Sequence, residues 1–588
     1  MKALLEIKHL QVAFETERGT LPAVHDISFA VERGEIVAVV GESGSGKSVT
    51  ALSILQLLSS KTVRYTNGSI LFSEDGQQAI NLLNSKGDEL RRIRGNKIAM
   101  IFQEPMTSLN PVFTCGQQVM EAIRVHTKMS RASARQQTIA LFEKVKLPQP
   151  EAMFYRYPHQ LSGGQKQRVM IAMAMSGNPL LLICDEPTTA LDVTVQKNIL
   201  QLIRELQQST RMGVIFITHD LGVVAEIASK VVVMYKGNIV ESGPVKDIMQ
   251  HPQHPYTKGL LACRPALHTR GERLPVVSDF LETEGVRGEA IVNSREPIVG
   301  SREAIVGSLA PGSGTSNIPV LNNTVPEKLI EVNNLQVWFP GKKNFFGKAS
   351  AYTKAVDNVS FSVFSGETLG LVGESGCGKT TLGRTLLRLV EPTGGSIRFR
   401  GKDMLHYTPA ELRRLRKDIQ IIFQDPYSAL NPSITIGNAI EEALQVHKIL
   451  PTAAQRKERV MELLQKVSLQ PSHFNRYPHE FSGGQRQRIV IARALALSPG
   501  FIVCDESVSA LDVSVQAQVL NLLNDLKKEF NFTIIFISHD LSVVHYISDR
   551  IMVMRQGNII ETGTADQIYH QPQDAYTREL IAAIPKIA

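Results

Sequence analysis

Gly41-Glu42-Ser43-Gly44-Ser45-Gly46-Lys47-Ser48 recurs in this chain as Gly373-Glu374-Ser375-Gly376-Cys377-Gly378-Lys379-Thr380. Both stretches fit G-x-x-x-x-G-K-[ST]. Each follows an apolar run, 36–40 or 369–372, that reads as a buried strand, and each opens a helix-like stretch. Between strand and helix the motif predicts a phosphate-binding loop. Its glycines let consecutive backbone N–H groups point inward at phosphate oxygens, and the helix N-terminus adds partial positive charge. Lys47 and Lys379 are expected to reach the β- and γ-phosphates, while Ser48 and Thr380 each offer a hydroxyl to Mg²⁺.

Working outward, 588 residues allow several domains, and 43% hydrophobic with 20% charged residues is ordinary for a globular protein. No apolar run approaches the ~18 residues that cross a bilayer. The start, Met1-Lys2-Ala3-Leu4-Leu5-Glu6-Ile7-Lys8, carries charges where a signal peptide needs its apolar core. A cytoplasmic protein is expected. Five cysteines lie far apart without a C-x-x-C pair, which gives neither a zinc site nor a disulfide framework. Cys184 and Cys504 sit in apolar runs and read as buried small hydrophobes. A net charge of +8 is modest at this length. It reads as a mixed solvated surface, with no nucleic acid expected; a basic patch facing anionic lipid would give the same count.

The repetition extends far beyond the loops. Phe102-Gln103-Glu104-Pro105 recurs as Phe423-Gln424-Asp425-Pro426, and Leu161-Ser162-Gly163-Gly164-Gln165 as Phe481-Ser482-Gly483-Gly484-Gln485. Cys184-Asp185-Glu186 recurs as Cys504-Asp505-Glu506, and Thr218-His219-Asp220 as Ser538-His539-Asp540. The last three pairs keep one offset of 320 residues, so a whole domain is duplicated rather than a short solenoid unit. Domains are expected at 1–265 and 327–588. Between them, 266–326 reads as a flexible linker with an imperfect seven-residue repeat over 287–307. Gly300, Gly307 and Pro297 oppose a coiled coil there. A small ordered piece near 274–280 is the alternative to an entirely unstructured linker.

Within each half, short β-rich runs (98–102, 180–183, 214–217 and their counterparts) end at the charged motifs. Ligands bind at such strand ends in open parallel sheets, so each half reads as α/β. The stretch 116–147 has helical character and lies between two motif-bearing strands, as an inserted helical lobe would. Asp185 and Asp505 can hold Mg²⁺ against the phosphates. Glu186 and Glu506 can polarise an attacking water, and Gln103 and Gln424 can contact Mg²⁺ or that water. His219 and His539, each 34 residues after its Asp, fit a γ-phosphate contact. Ser162 and Ser482, each before two glycines, suit a helix N-cap and equally an anion site.

In this order the motifs resemble the nucleotide-binding domain of ATP-binding cassette (ABC) transporters, and the match spans nearly all of both halves. The stretches from Phe102 to Pro111 and His254-Pro255-Tyr256-Thr257-Lys258-Gly259-Leu260-Leu261 are similar to those of peptide and nickel importer ATPases. Phe423 to Pro432 and Ala575-Tyr576-Thr577-Arg578-Glu579-Leu580-Ile581 are similar to the partner subunit type, as if two subunits of the glutathione-import type were fused. The resemblance implies two tandem P-loop NTPase domains, each with a mainly parallel sheet, an antiparallel β-subdomain and the helical lobe. It implies ATP and Mg²⁺ as ligands and a head-to-tail pairing of the halves. ATP on Gly41, Ser43, Gly44, Gly46, Lys47, Ser48 and Val49 would be closed by Ser482, Gly483, Gly484 and Gln485. ATP on Gly373, Ser375, Gly376, Gly378, Lys379, Thr380 and Thr381 would be closed by Ser162, Gly163, Gly164 and Gln165. Asp192 and Asp512 would cross the interface, and Phe14 and Phe339 would stack on adenine unless they are core aromatics. Ser507 replaces Pro187, Phe481 replaces Leu161 and Arg493 replaces Met173 between halves, and none removes a catalytic group. Two hydrolytic sites are therefore expected.

The implied partners are two transmembrane permease subunits and an extracytoplasmic solute-binding protein, with the chain peripheral on the cytoplasmic face of the inner membrane. The rival reading is a tandem cassette ATPase acting on ribosomes. It favours a long charged helical linker, whereas this one contains Gly, Ser and Pro. A DNA-repair cassette would need zinc cysteines that the chain lacks.

Overall fold

The computed structural model describes residues 3–17, 19–59, 61–104, 108–189, 191–282, 327–341, 352–509 and 511–585. The strands of the first half are β1 (Leu5–Thr16), β2 (Gly19–Val31), β3 (Ile36–Val40), β4 (Val63–Phe72), β5 (Ile80–Asn81), β6 (Ile98–Ile101), β7 (Leu181–Asp185), β8 (Gly213–Thr218), β9 (Lys230–Tyr235) and β10 (Asn238–Pro244). The second half repeats them as β11 (Lys328–Pro340), β12 (Tyr352–Phe364), β13 (Thr368–Val372), β14 (Gly394–Phe399), β15 (Lys402–Asp403), β16 (Ile419–Ile422), β17 (Phe501–Asp505), β18 (Thr533–Ser538), β19 (Arg550–Arg555) and β20 (Asn558–Thr564).

A strand without a polar position has no face to give to water. β3 is such a strand, β7 and β8 carry a polar residue only at their last position, Asp185 and Thr218, and every residue in all three is buried. They form the middle of a six-stranded sheet, β10-β9-β3-β8-β7-β6. All its neighbours run parallel except β9 and β10. The second half has the same sheet, β16-β17-β18-β13-β19-β20, again with only β19 and β20 antiparallel. Alternate side chains go to opposite faces. Leu181 and Ile183 pack with Val37, Val39 and the apolar face of β1. Leu182 and Cys184 pack with the helices on the other side. The resembling family's antiparallel subdomain is present as β2-β1-β4-β5 and β12-β11-β14-β15. All five cysteines are free and buried, which bears out the reading of Cys184 and Cys504.

The expected helical lobe is three helices, Cys115–His126, Arg131–Lys144 and Pro150–Phe154. Thr114 starts the first with a capping box to Gln117, which satisfies two orphan backbone donors. Gly116 then lies so close to the Phe154 ring that an added Cβ would sit 2.2 Å from it. Gly437 meets Phe474 in the same way in the second half, at 2.4 Å. A side chain at either position would overpack the lobe.

The first part of the expected linker is structured. A 3₁₀ turn, Pro265–Leu267, leads to a helix, Val277–Glu282. Leu274 and Val277 are buried in one cluster with Leu520 and Leu523 of the second half. A small ordered piece, which the sequence reading left open near 274–280, is thus observed. The seven-residue repeat and the Gly/Ser-containing stretch after it lie outside the described residues.

Candidate functional site

Parallel register brings the motif-bearing strand ends side by side. Val40 is level with Thr218, and Asp185 with Ile217, so Gly41, Glu186 and His219 leave adjacent strands at one edge. The loop after β3 turns through Gly44 (φ +82°) and Gly46 (φ +99°), the left-handed region that glycine enters freely. Helix Lys47–Ile54 then begins without a side-chain cap, as does Lys379–Leu386 after Gly378. Such uncapped N-termini leave N–H groups free to bind an anion. The Lys47 ammonium donates to the carbonyls of Gly41 (2.7 Å) and Glu42 (2.9 Å). Lys379 donates to those of Gly373 (2.6 Å) and Glu374 (2.9 Å). Both lysines are buried at the floor of the loop.

Beside each lysine lies a hydroxyl–carboxylate pair. Ser48 donates to Asp185 at 3.0 Å, and Thr380 to Asp505 at 2.9 Å. Burial pushes the Asp185 carboxyl up to about 6, only partly opposed by the Ser48 hydrogen bond. Asp505 is raised for the same reason. Its Oδ2 finds no hydrogen-bond partner among the described residues. Oxygen-only ligands with buried, under-compensated charge are the donor set that suits a hard dication.

One residue further on, Glu186 and Glu506 adopt φ of +47° and +48°. Their N–H groups still donate to Ile217 and Ile537 at 3.0 Å, extending the strand pairing into the turn. A left-handed non-glycine residue costs of order 1–3 kcal/mol and collects at functional sites. Gln103 donates to the Glu186 carboxylate at 3.1 Å, and Gln424 to Glu506 at 2.9 Å. His219 Nδ1 lies 3.4 Å from Glu186, and His539 Nδ1 3.5 Å from Glu506. Burial opposes ionisation of Glu186, but His219 and Lys47 outweigh it and hold the carboxyl at about 2. Glu506 is lowered by the same balance. The imidazoles respond in the opposite sense. Burial would lower them, yet the facing glutamates raise both His219 and His539. The supports differ between the halves: Thr189 donates to the Glu186 carboxylate at 2.9 Å, whereas Ser509 donates to the Glu506 backbone carbonyl at 2.7 Å and the Lys379 ammonium lies 3.9 Å from the Glu506 carboxylate.

Each loop also meets the other half. Asp512 accepts the Ser43 N–H at 2.8 Å, and its second oxygen lies 3.8 Å from His219. Asp192 accepts a backbone hydrogen bond from Ser375. Thr194 donates to Glu374 at 2.8 Å. Ser162 and Ser482 cap their own helices, in capping boxes with Gln165 and Gln485. With Gly163 and Gly483 beside them they are exposed. Phe14 is half-buried against the first antiparallel sheet, while Phe339 is 43% exposed. Two residues gain a part that sequence reasoning did not give them. The hydroxyls of Tyr256 and Tyr576 accept the Glu42 and Glu374 N–H groups at 2.8 and 3.0 Å. The recurring Tyr-Thr segments were the available signal, although nothing in them points to the loop.

The ABC transporter family model matches residues 24–189 and 356–509. The oligopeptide/dipeptide transporter C-terminal region matches 240–280 and 560–588, both Tyr-Thr segments included. The glutathione import ATP-binding protein GsiA of Pectobacterium atrosepticum is 47% identical over 588 residues, covering 99% of this chain and 90% of its own length. Its Escherichia coli K12 counterpart is 47% identical over 583 residues, covering 99% and 89%. Among solved structures, the ATP-binding cassette MJ0796 bound to ADP and Pi is 26% identical at a TM-score of 0.37, covering 40% of this chain and 98% of its own. The matched C-terminal regions favour the importer reading over the ribosomal one. The chain belongs to the ABC transporter family, as the ATP-hydrolysing, energy-coupling subunit of a peptide-type importer with two ATPase cassettes in one polypeptide.

Proposed function

We propose that the chain binds two ATP molecules between head-to-tail paired halves and couples their hydrolysis to uptake of glutathione or a similarly small peptide. The observation that carries the pairing is the Ser43–Asp512 hydrogen bond, which joins one nucleotide loop to the opposite half. The cargo rests on the import function named for the relatives. Two permease subunits, a solute-binding protein and a peripheral place on the cytoplasmic face of the inner membrane complete the reading. Among the described residues no helix is long and apolar enough to cross a membrane, and the turn leading into the lobe exposes Val112 (71%) and Phe113 (51%), apolar surface that a permease would cover.

In this reading the loop amides and Lys47 or Lys379 bind the β- and γ-phosphates. Ser48 with Asp185, and Thr380 with Asp505, would hold Mg²⁺, and Gln103 and Gln424 would contact it or the attacking water. When bound, Mg²⁺ neutralises charge that builds on the phosphate oxygens. Glu186 and Glu506 orient an attacking water and accept its hydrogen bond, while His219 and His539 hold the carboxylates and face the γ-phosphate. The Ser162 to Gln165 and Ser482 to Gln485 segments, led by their exposed Ser-Gly pairs, close over the opposite nucleotide, and Phe14 and Phe339 flank adenine. Closure is favoured because only the closed state offers both sets of contacts, and a ligand shifts an equilibrium by its differential affinity.

Lys47→Ala is expected to weaken ATP at the first site by roughly 10–100-fold, the scale of one or two charge-assisted hydrogen bonds, and to spare the second. Photo-crosslinked ATP mapped to peptides of each half reads this directly, and equal loss from both would overturn separable sites. Glutathione-loaded binding protein is expected to raise ATPase turnover of the reconstituted complex several-fold. Stimulation by longer peptides instead would reassign the cargo.

A further inference from the structure

Two neighbouring amides of the first nucleotide loop are held from different directions. Glu42 N–H is held by Tyr256 of its own half, and Ser43 N–H by Asp512 of the other. The two holders are themselves connected. Tyr256 is fully buried in helix Pro255–Ala262, its ring 4.3 Å from that of Tyr235. Gly259 of this helix packs on the strap that follows it, where an added Cβ would lie 3.0 Å from Val277 Cα. The strap's Leu274 exchanges two hydrogen bonds with the Asn521 side chain, N–H to Oδ1 at 2.9 Å and Nδ2 to the carbonyl at 2.8 Å. Both residues are buried. Tyr546 adds a third bond, to the Glu272 carbonyl at 2.6 Å. Asn521 lies on helix Val513–Phe530, which Asp512 opens. The path returns to Ser43 and closes a ring.

The second half has a looser version. Tyr576 holds Glu374 N–H, and among the described residues the segment at the end of its helix meets the first half through two long cationic side chains, Lys197 Nζ to the Ala582 carbonyl at 3.1 Å and Arg264 Nη2 to the Pro585 carbonyl at 3.2 Å. Lys197 lies on helix Val193–Thr210, which Asp192 opens. Gln201, the counterpart of Asn521, is exposed and bonds Glu205 on its own helix instead.

We infer that Tyr256 and Tyr576 are positioning residues for the nucleotide loops, and that the strap through Leu274 and Asn521 gives the Tyr256 helix a buried, two-way tie to the opposite half that the Tyr576 helix lacks among the described residues. This rests on the reading of these loops as ATP sites. A buried side-chain amide bonded both ways to backbone has two costly groups to strand if it lets go. The strap therefore moves with helix Val513–Phe530, and any displacement of that helix reaches the first loop from both of its holders at once. The two ATP sites thereby sense separation of the halves unequally.

The test is a double-mutant cycle with Tyr256→Phe and Asn521→Leu in the full chain, with circular dichroism to confirm folding. Amide exchange is read without nucleotide for peptides spanning 38–50 and 370–382. Each single variant is expected to speed exchange in the first peptide by roughly 3–10-fold, the scale of one hydrogen bond, and to leave the second unchanged. The double variant is expected to exceed neither single by more than about twofold, because residues in one network are not additive. Additive effects, or an unchanged first peptide in Asn521→Leu, overturn the tie. Wild-type chain with Mg·ATP serves separately: unchanged exchange at 41–48 would sink the ATP-site reading, while the nucleotide-free cycle still decides the tie.

Discussion

Glu186→Gln together with Glu506→Gln is expected to leave ATP bound while hydrolysis falls by roughly 10²–10⁴-fold, the usual contribution of a group that takes or orients a proton in the transition state. Each carboxylate stands at the end of a fully buried strand, one residue past a carboxylate paired to the loop hydroxyl. Each is fixed by a glutamine from the neighbouring strand end and faces a histidine. Held at about 2, Glu186 stays ionised at neutral pH, so its work is to accept and aim a hydrogen of water rather than to titrate. Glutamine keeps the size and one acceptor oxygen but removes the charge. ATP binding survives because the triphosphate contacts lie on the loop and not on the glutamates. Single-turnover release of phosphate from ATP-loaded chain measures the loss, and unchanged turnover would refute the role. The single variants are expected to differ, with Glu506→Gln the more disruptive to its own geometry, because the further anchor of Glu186 is the Thr189 hydroxyl, which a glutamine oxygen still accepts, while that of Glu506 is the Lys379 ammonium at 3.9 Å, which needs the charge.

Much of this constellation was legible because it is local. Ile36–Val40 could be read as a buried strand from composition alone, and its observed bounds are the predicted ones. The strand bearing Asp185 is one residue off at its start, Leu181 for 180, and runs on into the aspartate itself. Ser48 and Asp185 were each assigned to Mg²⁺ on chemistry alone, and the parallel pairing of β3, β8 and β7 brings them to 3.0 Å. What stayed hidden is non-local or is against propensity. Glutamate is not a turn residue, so nothing in Asp-Glu-Pro or Asp-Glu-Ser announces a left-handed φ. Tertiary strand pairing imposes it, through the N–H bonds to Ile217 and Ile537. Tyr256 lies 214 residues from the amide it holds. The strap read as linker because 266–282 has no strand or helix periodicity and leads into the repeat, yet Leu274 and Val277, with Val276 and Leu281 beside them, are ordered because the opposite half supplies the rest of the core.

Gly378→Ala is expected to destroy the second nucleotide site, with affinity there down by about 10²-fold or more, and Gly46→Ala to damage the first less. Gly378 has φ +112° and ψ 0°, and Gly46 has φ +99° and ψ 1°. Alanine is strained in both, because its Cβ crowds the carbonyl in left-handed backbone by roughly 1–2 kcal/mol. The surroundings separate them. A Cβ on Gly378 would lie 2.0 Å from the Ala355 carbonyl oxygen and 2.8 Å from Met554 Cε. On Gly46 it would lie 3.0 Å from the Ala23 carbonyl oxygen and 3.3 Å from Met234 Cε. Methionine can swing aside; the backbone of β12 cannot, since Val356 beside Ala355 is paired to β11 in the antiparallel sheet. Relief at Gly378 must therefore come from the loop, which carries the N–H groups and Lys379 away from their positions. At Gly46 a shift of a few tenths of an ångström is enough. Nucleotide crosslinking resolved by half distinguishes the two. Equal damage from both substitutions would show that backbone strain rather than the approach of β12 decides, and an intact second site in Gly378→Ala would show that the loop can relax without losing its grip on phosphate.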